Sequence, residues 1–464
     1  MNTSRRRFLQ QTAAATGALG GLGLFGNPFV ARALADAGNR FFVLLFLDGG
    51  NDGLNTVTPI DDGSGTLRAD YEHFRTSLRL STSELLPIGT DPLTGAQLGL
   101  HPALTGFKNL YDQGRLAVVQ NCGYPAYSLS HDESRRIWQT GQRFNGAGSG
   151  WFGRYLEAQG FGPLDIPGVT LDRLVALEFG QSATSIVALK KIKSFGFPYD
   201  EGFPDDDTTR RAAFDALYAM AAASLQPQMG ILGSTGGATA AASSSYPPLH
   251  GLYEADRAGW SAGYEELDTR LASDLREIAR IIHGVNQGVP GVAARFFQVS
   301  KRGYDTHADQ GAGRAGGRHS ELHREVGDAL ELFYNDLADM GLAESVCVLV
   351  YSEFNRRIEQ NWNGTDHGSQ GPVFVIGGGV NGGIYEAHPN ISPAALDDKG
   401  NTPYTQGPSD PWRSRDMRDI YGTVLKHWLG MSPATILANV LATDSPLLDP
   451  TQHWLNPNFD LPFL

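Results

Sequence analysis

The chain has 464 residues, with 37 Lys and Arg against 50 Asp and Glu, and a formal charge of −13 at pH 7. That balance argues against nucleic acid or an anionic lipid surface as partner, because both need clustered Lys and Arg. Only Cys122 and Cys347 are present, which excludes a disulfide scaffold or a cysteine-rich zinc site and leaves inert core thiols as the simpler role.

Residues 1–35 read as an address. Ser4-Arg5-Arg6-Arg7-Phe8-Leu9-Gln10 has the twin-arginine pattern, a Gly/Ala-rich apolar run covers Ala13 to Leu34, and Ala33-Leu34-Ala35 suits signal-peptidase cleavage before Asp36. The run is interrupted by Asn27-Pro28 and is too weakly apolar for a stable membrane anchor. The segment predicts passage through the twin-arginine translocase, as a folded protein, to a periplasmic or secreted location. It holds four arginines and no acid, so its removal takes the formal charge from −13 to −17.

Next comes Phe41-Phe-Val-Leu-Leu-Phe-Leu47, an unbroken apolar run ending in Asp48-Gly49-Gly50-Asn51-Asp52-Gly53, the pattern of a strand buried on both faces. Further strands are predicted at Leu116–Gln120, Ala294–Val299, Val346–Tyr351 and Val373–Ile376. Helices are predicted at Pro102–Gln113, Ser130–Thr140, Thr208–Leu225, Tyr264–His283, Ser320–Met340 and Arg415–Leu429. Strands alternating with helices specify an α/β domain with a mostly parallel sheet, whose functional residues collect beyond the strands' carboxyl ends. Residues 36–464 form one such domain, with a Gly/Ser/Ala-rich surface loop at 229–247. Trp138, Trp151, Tyr155 and Trp428 are expected in the core, and His101 in a structural role.

The polar residues after these strands carry the chemistry. Asp48 stands at the first strand end, where it is either a ligand or a turn-capping carboxylate. Asp305-Thr306-His307 puts a carboxylate and an imidazole on the same side of an extended segment. Glu353 follows the strand 346–351, and Asp366-His367 lies in a glycine-flanked loop. Together these are O and N ligands suited to one or two divalent ions, zinc, manganese or calcium. Arg356 is a candidate for steadying an anionic group, and Arg357 a surface residue. Ser130, three residues before Glu133, matches a capping box and could double as a nucleophile at a helix start, with His131 assisting. His319 and His323 share a helix face without the H-E-x-x-H order and are expected at the surface.

Several of these stretches act together as a signature. Phe46–Asn55, Gly123-Tyr-Pro, Ser130-His131, Gly150-Trp-Phe-Gly-Arg154, Gly303–His307, Ser352-Glu-Phe354, Thr365-Asp-His-Gly368 and Arg418-Asp419 resemble a bacterial family of exported proteins, domain of unknown function 1501. That family is placed in the alkaline phosphatase and sulfatase superfamily. The resemblance implies an alkaline-phosphatase-like, three-layer α/β fold, a mostly parallel central sheet flanked by helices, with metals at the strand carboxyl ends. Carried over, it implies Asp48 as the metal-binding Asp of the first strand, Ser130 as nucleophile, and Asp305 with His307 on one metal. The strand-end Asp-His of the superfamily would be Glu353, with Phe354 where a His is usual, and His367 the later His. Alternatively, Asp366-His367 is that pair and Glu353 is extra. The C/S-x-P-x-R motif of formylglycine sulfatases is absent, since Cys122-Gly-Tyr-Pro places proline one position late.

The resulting expectation is an exported metal-dependent hydrolase of phosphate or related esters, carried on a small molecule or a polymer. Its rival is a non-catalytic exported binding or structural protein that keeps the fold and a metal site.

Overall fold

The computed structural model describes residues 40–142, 149–161, 165–180, 184–195, 245–311, 316–405, 414–441 and 460–464, with Trp412 and short pieces between 212 and 243. The twin-arginine segment lies outside the described residues, as do most of the expected helix Thr208–Leu225 and most of the 229–247 loop.

Strand β1 (Phe41–Asp48) is the centre of the molecule. Its side chains alternate between two cores. Phe41, Val43, Leu45 and Leu47 point into one, while Phe42, Leu44 and Phe46 point into the other. All seven are at most 4% exposed. A strand sandwiched in this way must be apolar at every position, and each such side chain contributes roughly 1.5–3 kcal/mol of burial.

β1 pairs in parallel with β8 (Phe296–Arg302) on one side and β9 (Val346–Tyr351) on the other. Beyond β8 lie β6 (Gly168–Thr170) and β7 (Ile186–Ala188), both parallel. Beyond β9 lies β10 (Gly371–Gly377), antiparallel to β9 and to β5 (Leu116–Gly123). β11 (Gly383–Tyr385) and β12 (Arg415–Asp416) add in parallel to β5. The sheet of nine strands among the described residues is thus mostly parallel, with β10 as its reversed member. Strands from both sides of the 229–247 stretch share it. A small antiparallel sheet joins β2 (Val57–Pro59), β3 (Leu86–Thr90) and β4 (Gln97–Leu100), with the short helices α1 (Gly53–Thr56) before β2 and α2 (Leu67–Phe74) after it.

One face of the main sheet is covered by α3 (Thr105–Asp112), α6 (Pro247–Glu266), α7 (Arg270–Asn286) and α8 (Gly317–Asp339). The other is covered by α4 (His131–Thr140), α5 (Trp151–Ala158) and α9 (Met417–Thr423). This is the expected three-layer α/β arrangement. Trp138, Trp151, Tyr155 and Trp428 are buried in it as expected, and both cysteines are free and buried.

Three expectations are corrected. The helix expected over Tyr264–His283 is two helices, because Asp268 adopts φ 44° and Thr269 caps the second by accepting from the Ala272 amide. His319 and His323 are not on the surface. Their face of α8 turns inward, where they form a fully buried trio with His101, with ring centroids 4.0–5.4 Å apart. The Ser130–Glu133 capping box does not form. Ser130 occupies the N-cap position, but its hydroxyl makes no capping bond, and Glu133 accepts instead from Ser128 Oγ at 2.7 Å.

Candidate metal centre

Three chain segments meet beyond the carboxyl ends of β8, β1 and β9. The turn after β1 is tight because Gly49 and Gly50 adopt φ 124° and 79°. A Cβ on Gly49 would lie 2.4 Å from the Asp305 amide nitrogen, so glycine is what allows the β1 and β8 exits to touch. Gly303 and Tyr304 donate their amides to the Asp48 carbonyl at 3.2 and 3.1 Å, which fixes the start of the Asp305–His307 segment.

Two buried arginines lock this arrangement. Arg356, 1% exposed, donates to the carbonyls of Gly49, Gly50, Tyr304 and Thr365 and, at 2.6 Å, to Asp305 Oδ1. Its guanidinium is therefore committed to the protein rather than open to a substrate anion. Arg75 grips Asp52 through both oxygens at 2.5 and 2.9 Å and donates to the Ile358 and Arg357 carbonyls. Asp52 also accepts from Gln310 at 2.5 Å, so it ties the loops after β1, β8 and β9 together.

On this frame three imidazoles converge on one carboxylate oxygen. Asp305 Oδ1 lies 3.4 Å from His131 Nε2, 3.1 Å from His307 Nε2 and 3.3 Å from His367 Nε2. In each ring the other nitrogen already has an acceptor, which assigns the proton to Nδ1. His131 Nδ1–H donates to Glu353 at 2.8 Å, His307 Nδ1–H to Asp366 at 3.2 Å, and His367 Nδ1–H to the Leu129 carbonyl at 2.6 Å. Every Nε2 is left with a lone pair directed at the same spot. His307 and His367 Nε2 are 2.9 Å apart, and His131 Nε2 is buried with no hydrogen-bond partner.

These residues fit a divalent cation. Ligand atoms bonded at ~2.0–2.1 Å to one tetrahedral ion lie about 3.3 Å apart, close to the separations found here. His131, Asp305 and His367 form a group whose donor atoms all lie within 4.8 Å of one another; His307 Nε2 stands outside that mutual group but lies 3.1 Å from Asp305 Oδ1 and 2.9 Å from His367 Nε2. Imidazoles whose Nδ1–H is held by a carboxylate or carbonyl are the usual way such ligands are oriented.

Charge follows the same geometry. Burial is the largest influence on Asp305 and raises its carboxyl, but the Arg356 hydrogen bond and charge override it and hold the group down at about 2. The hydrogen bond to Glu353 raises His131, whereas burial lowers His367.

The remaining expected site residues stand around this centre. Glu353 is fully buried and accepts from the amides of Gly49 and Gly50, from Ser352 Oγ and from His131, so its oxygens are occupied. Asp366 accepts from His307 and from Asn361 Nδ2 at 3.2 Å. Asp48 points elsewhere, to Arg135 at 2.5 Å and toward Arg302 at 3.8 Å, and burial raises its carboxyl despite them. Ser130 is exposed at the start of α4, next to His131. Phe354 packs its ring against His131 and His367 at 4.8 and 4.7 Å. Sequence reasoning placed His131 beside the nucleophile rather than among the converging donors; its signal was adjacency to Ser130 at a helix start facing the strand exits.

No curated protein sequence matches the chain. Among solved structures, it is similar to a sulfatase from Pseudoalteromonas sp., at 12% identity and TM-score 0.26, over 87% of this chain and 72% of that one. A protein crystallised with a neocarrahexaose (8% identity, TM-score 0.32) is matched over 87% of this chain and 75% of its own. The lipoteichoic acid synthase LtaP from Listeria monocytogenes (8%, 0.29) is matched over 87% and 78%. Likeness at this level carries no functional argument. The model of the family described as protein of unknown function (DUF1501) matches residues 40–404, and the chain belongs to that family.

Proposed function

We propose that the protein is an exported, metal-dependent hydrolase of phosphate or related anionic esters. One observation carries the reading: three Nε2 lone pairs, each fixed by an engaged Nδ1–H, converge on Asp305 Oδ1. A divalent cation held by His131, Asp305, His307 and His367 supplies Lewis acidity toward an ester oxygen and offsets its negative charge. The imidazole-rich donor set favours zinc over manganese or calcium.

In this proposal Glu353 and Asp366 orient His131 and His307, Arg356 fixes Asp305, and Asp48 is a neighbouring carboxylate paired with Arg135. Ser130 is the nucleophile. It is exposed at the N-cap of a ten-residue helix, whose dipole favours negative charge there. Oγ forms the bond to phosphorus while the ester's alcohol leaves with the serine proton. Water then releases phosphate and restores the hydroxyl.

Export through the twin-arginine translocase to the periplasm or beyond belongs to the same proposal and rests on residues 1–35. Among the described residues, no helix is long and apolar enough to cross a membrane. The single domain proposed for 36–464 is supported by the one sheet shared across the 229–247 stretch.

The test is turnover of a generic aryl phosphate by protein loaded with zinc or manganese. Cleavage is expected, and Ser130→Ala should lose it by on the order of 10³-fold or more while metal stays bound. Metal binding with no cleavage of aryl phosphate, sulfate or phosphonate overturns the hydrolase reading and leaves a metal-holding binding protein.

A further inference from the structure

A second feature lies beside the metal centre at the same edge of the sheet. A cavity of about 130 Å³ is lined by Asp172, Arg270, Leu271, Ser300, Lys301 and Arg302. Ser300, Lys301 and Arg302 end β8, Asp172 follows β6, and Arg270 and Leu271 open α7. Half of the lining side chains are cationic in a chain of charge −13.

Each of the three cations has a carboxylate partner, but the two guanidiniums remain open to solvent. Lys301 is paired with Glu325. The guanidiniums of Arg302 and Arg270 share Asp172 at 3.1 and 3.7 Å, and Arg302 Nε lies 3.8 Å from Asp48. Both arginines stay open, with side chains 73% and 55% exposed. Arg270 also donates to the Leu171 carbonyl at 3.3 Å and reaches Asp274 at 3.2 Å. Burial pushes that carboxyl up to about 7, so near neutral pH it is only partly charged.

Structural need does not account for this cluster. Exposed ion pairs contribute little to stability. Arg270 is the first residue of a 17-residue helix with no acid in its first turn, so its charge opposes the helix dipole. An anion in the cavity relieves that opposition and meets two planar forks suited to bidentate binding. Ser300 Oγ accepts from Gln298 Nε2 at 2.9 Å, which leaves its own hydroxyl proton to donate.

Position links the cavity to the proposed chemistry. Arg302 and Asp305 are three residues apart along one strand exit, so at most about 10 Å separates their backbones. We propose that this cavity binds a second anionic group of the substrate, so that the ester cleaved at the metal centre belongs to a multiply charged molecule. The inference rests on the hydrolase reading for the first group; anion binding in the cavity does not depend on it.

Two measurements separate these claims. Calorimetric titration with inorganic pyrophosphate, on chelator-treated protein, should show binding that weakens at least ten-fold in Arg270→Gln/Arg302→Gln, with the thermal transition preserved. Equal binding by wild type and variant overturns the cavity as an anion site. In steady-state kinetics, the variant should raise KM at least ten-fold for an aryl phosphate bearing a second phosphate and leave p-nitrophenyl phosphate unchanged. An equal effect on both esters overturns the inference while the hydrolase reading stands. Loss of pyrophosphate binding, with no ester cleaved by either protein, keeps the anion site and removes the hydrolase reading. A linear polyphosphate that binds far more tightly than pyrophosphate, and loses that advantage in the variant, identifies a polymer as the source of the second charge. Parity identifies a small molecule.

Discussion

His307 Nε2 and His367 Nε2 face one another at 2.9 Å, and the Nδ1–H of each is already donated elsewhere. Two neutral imidazoles so arranged oppose their lone pairs, and only a shared proton or a cation relieves that. The Nδ1 acceptors are therefore part of the centre's affinity. Asp366→Asn and Glu353→Gln should each weaken zinc binding by about 10–100-fold without removing it, as measured by competition with a chromophoric chelator. Outright loss in either variant would make that carboxylate a ligand instead.

Protons compete with the metal at His131, whose pKa is raised first by its hydrogen bond to Glu353. For the metal-free protein, a histidine raised on folding gives stability that is fully present below its ordinary value of 6.5 and lost as pH rises through the folded value. Metal binding runs the other way, because the ligand must be neutral. The rise in Tm on adding zinc should therefore grow between pH 6 and pH 8, by differential scanning calorimetry. A zinc effect independent of pH contradicts this assignment.

Backbone geometry sets how closely the β1 and β8 exits approach. Gly49→Ala puts a Cβ 2.4 Å from the Asp305 amide at a φ of 124°. A cost of about 3 kcal/mol or more is expected in denaturant unfolding, with metal affinity falling alongside because Asp305 must shift. Unchanged stability would mean that the two exits do not touch.

Asp274 supplies a prediction away from the metal. Burial raises its carboxyl to about 7 from the ordinary 3.8, against the pull of Arg270. Between those values the folded state holds more protons than the unfolded one, so this group lowers stability as pH rises from about 4 to 7. Asp274→Asn should flatten that part of the stability curve, as read from urea midpoints. An identical curve in the variant would place the Asp274 titration at its ordinary value.

Legibility in the sequence tracked local physics. Phe41–Leu47 was readable as a central strand because burial on both faces demands an unbroken apolar run. Strands as short as Gly168–Thr170 and Gly383–Tyr385 carry too few residues to show a period, and the reversed direction of β10 leaves no mark in composition. The helix break at Asp268 hid inside a continuous helical pattern because a single residue with positive φ makes it. His319 and His323 were expected at the surface because the H-E-x-x-H order is absent, yet burial lowers both, His319 to about 4, so they pack as neutral rings. At the centre, acids and imidazoles after strands were legible as a set. Which of them converge depended on side-chain direction: Asp48 turns to Arg135, Glu353 is consumed by the Gly49 and Gly50 amides, and His131 turns in.

The most direct test is the metal content of the folded protein after zinc loading and desalting, by elemental mass spectrometry, for wild type and for His131→Ala, His307→Ala and His367→Ala. A divalent ion retained by wild type and lost by each variant, all three folded by circular dichroism, is the predicted result. Wild type that retains no metal, or variants that hold as much as wild type, would contradict the account.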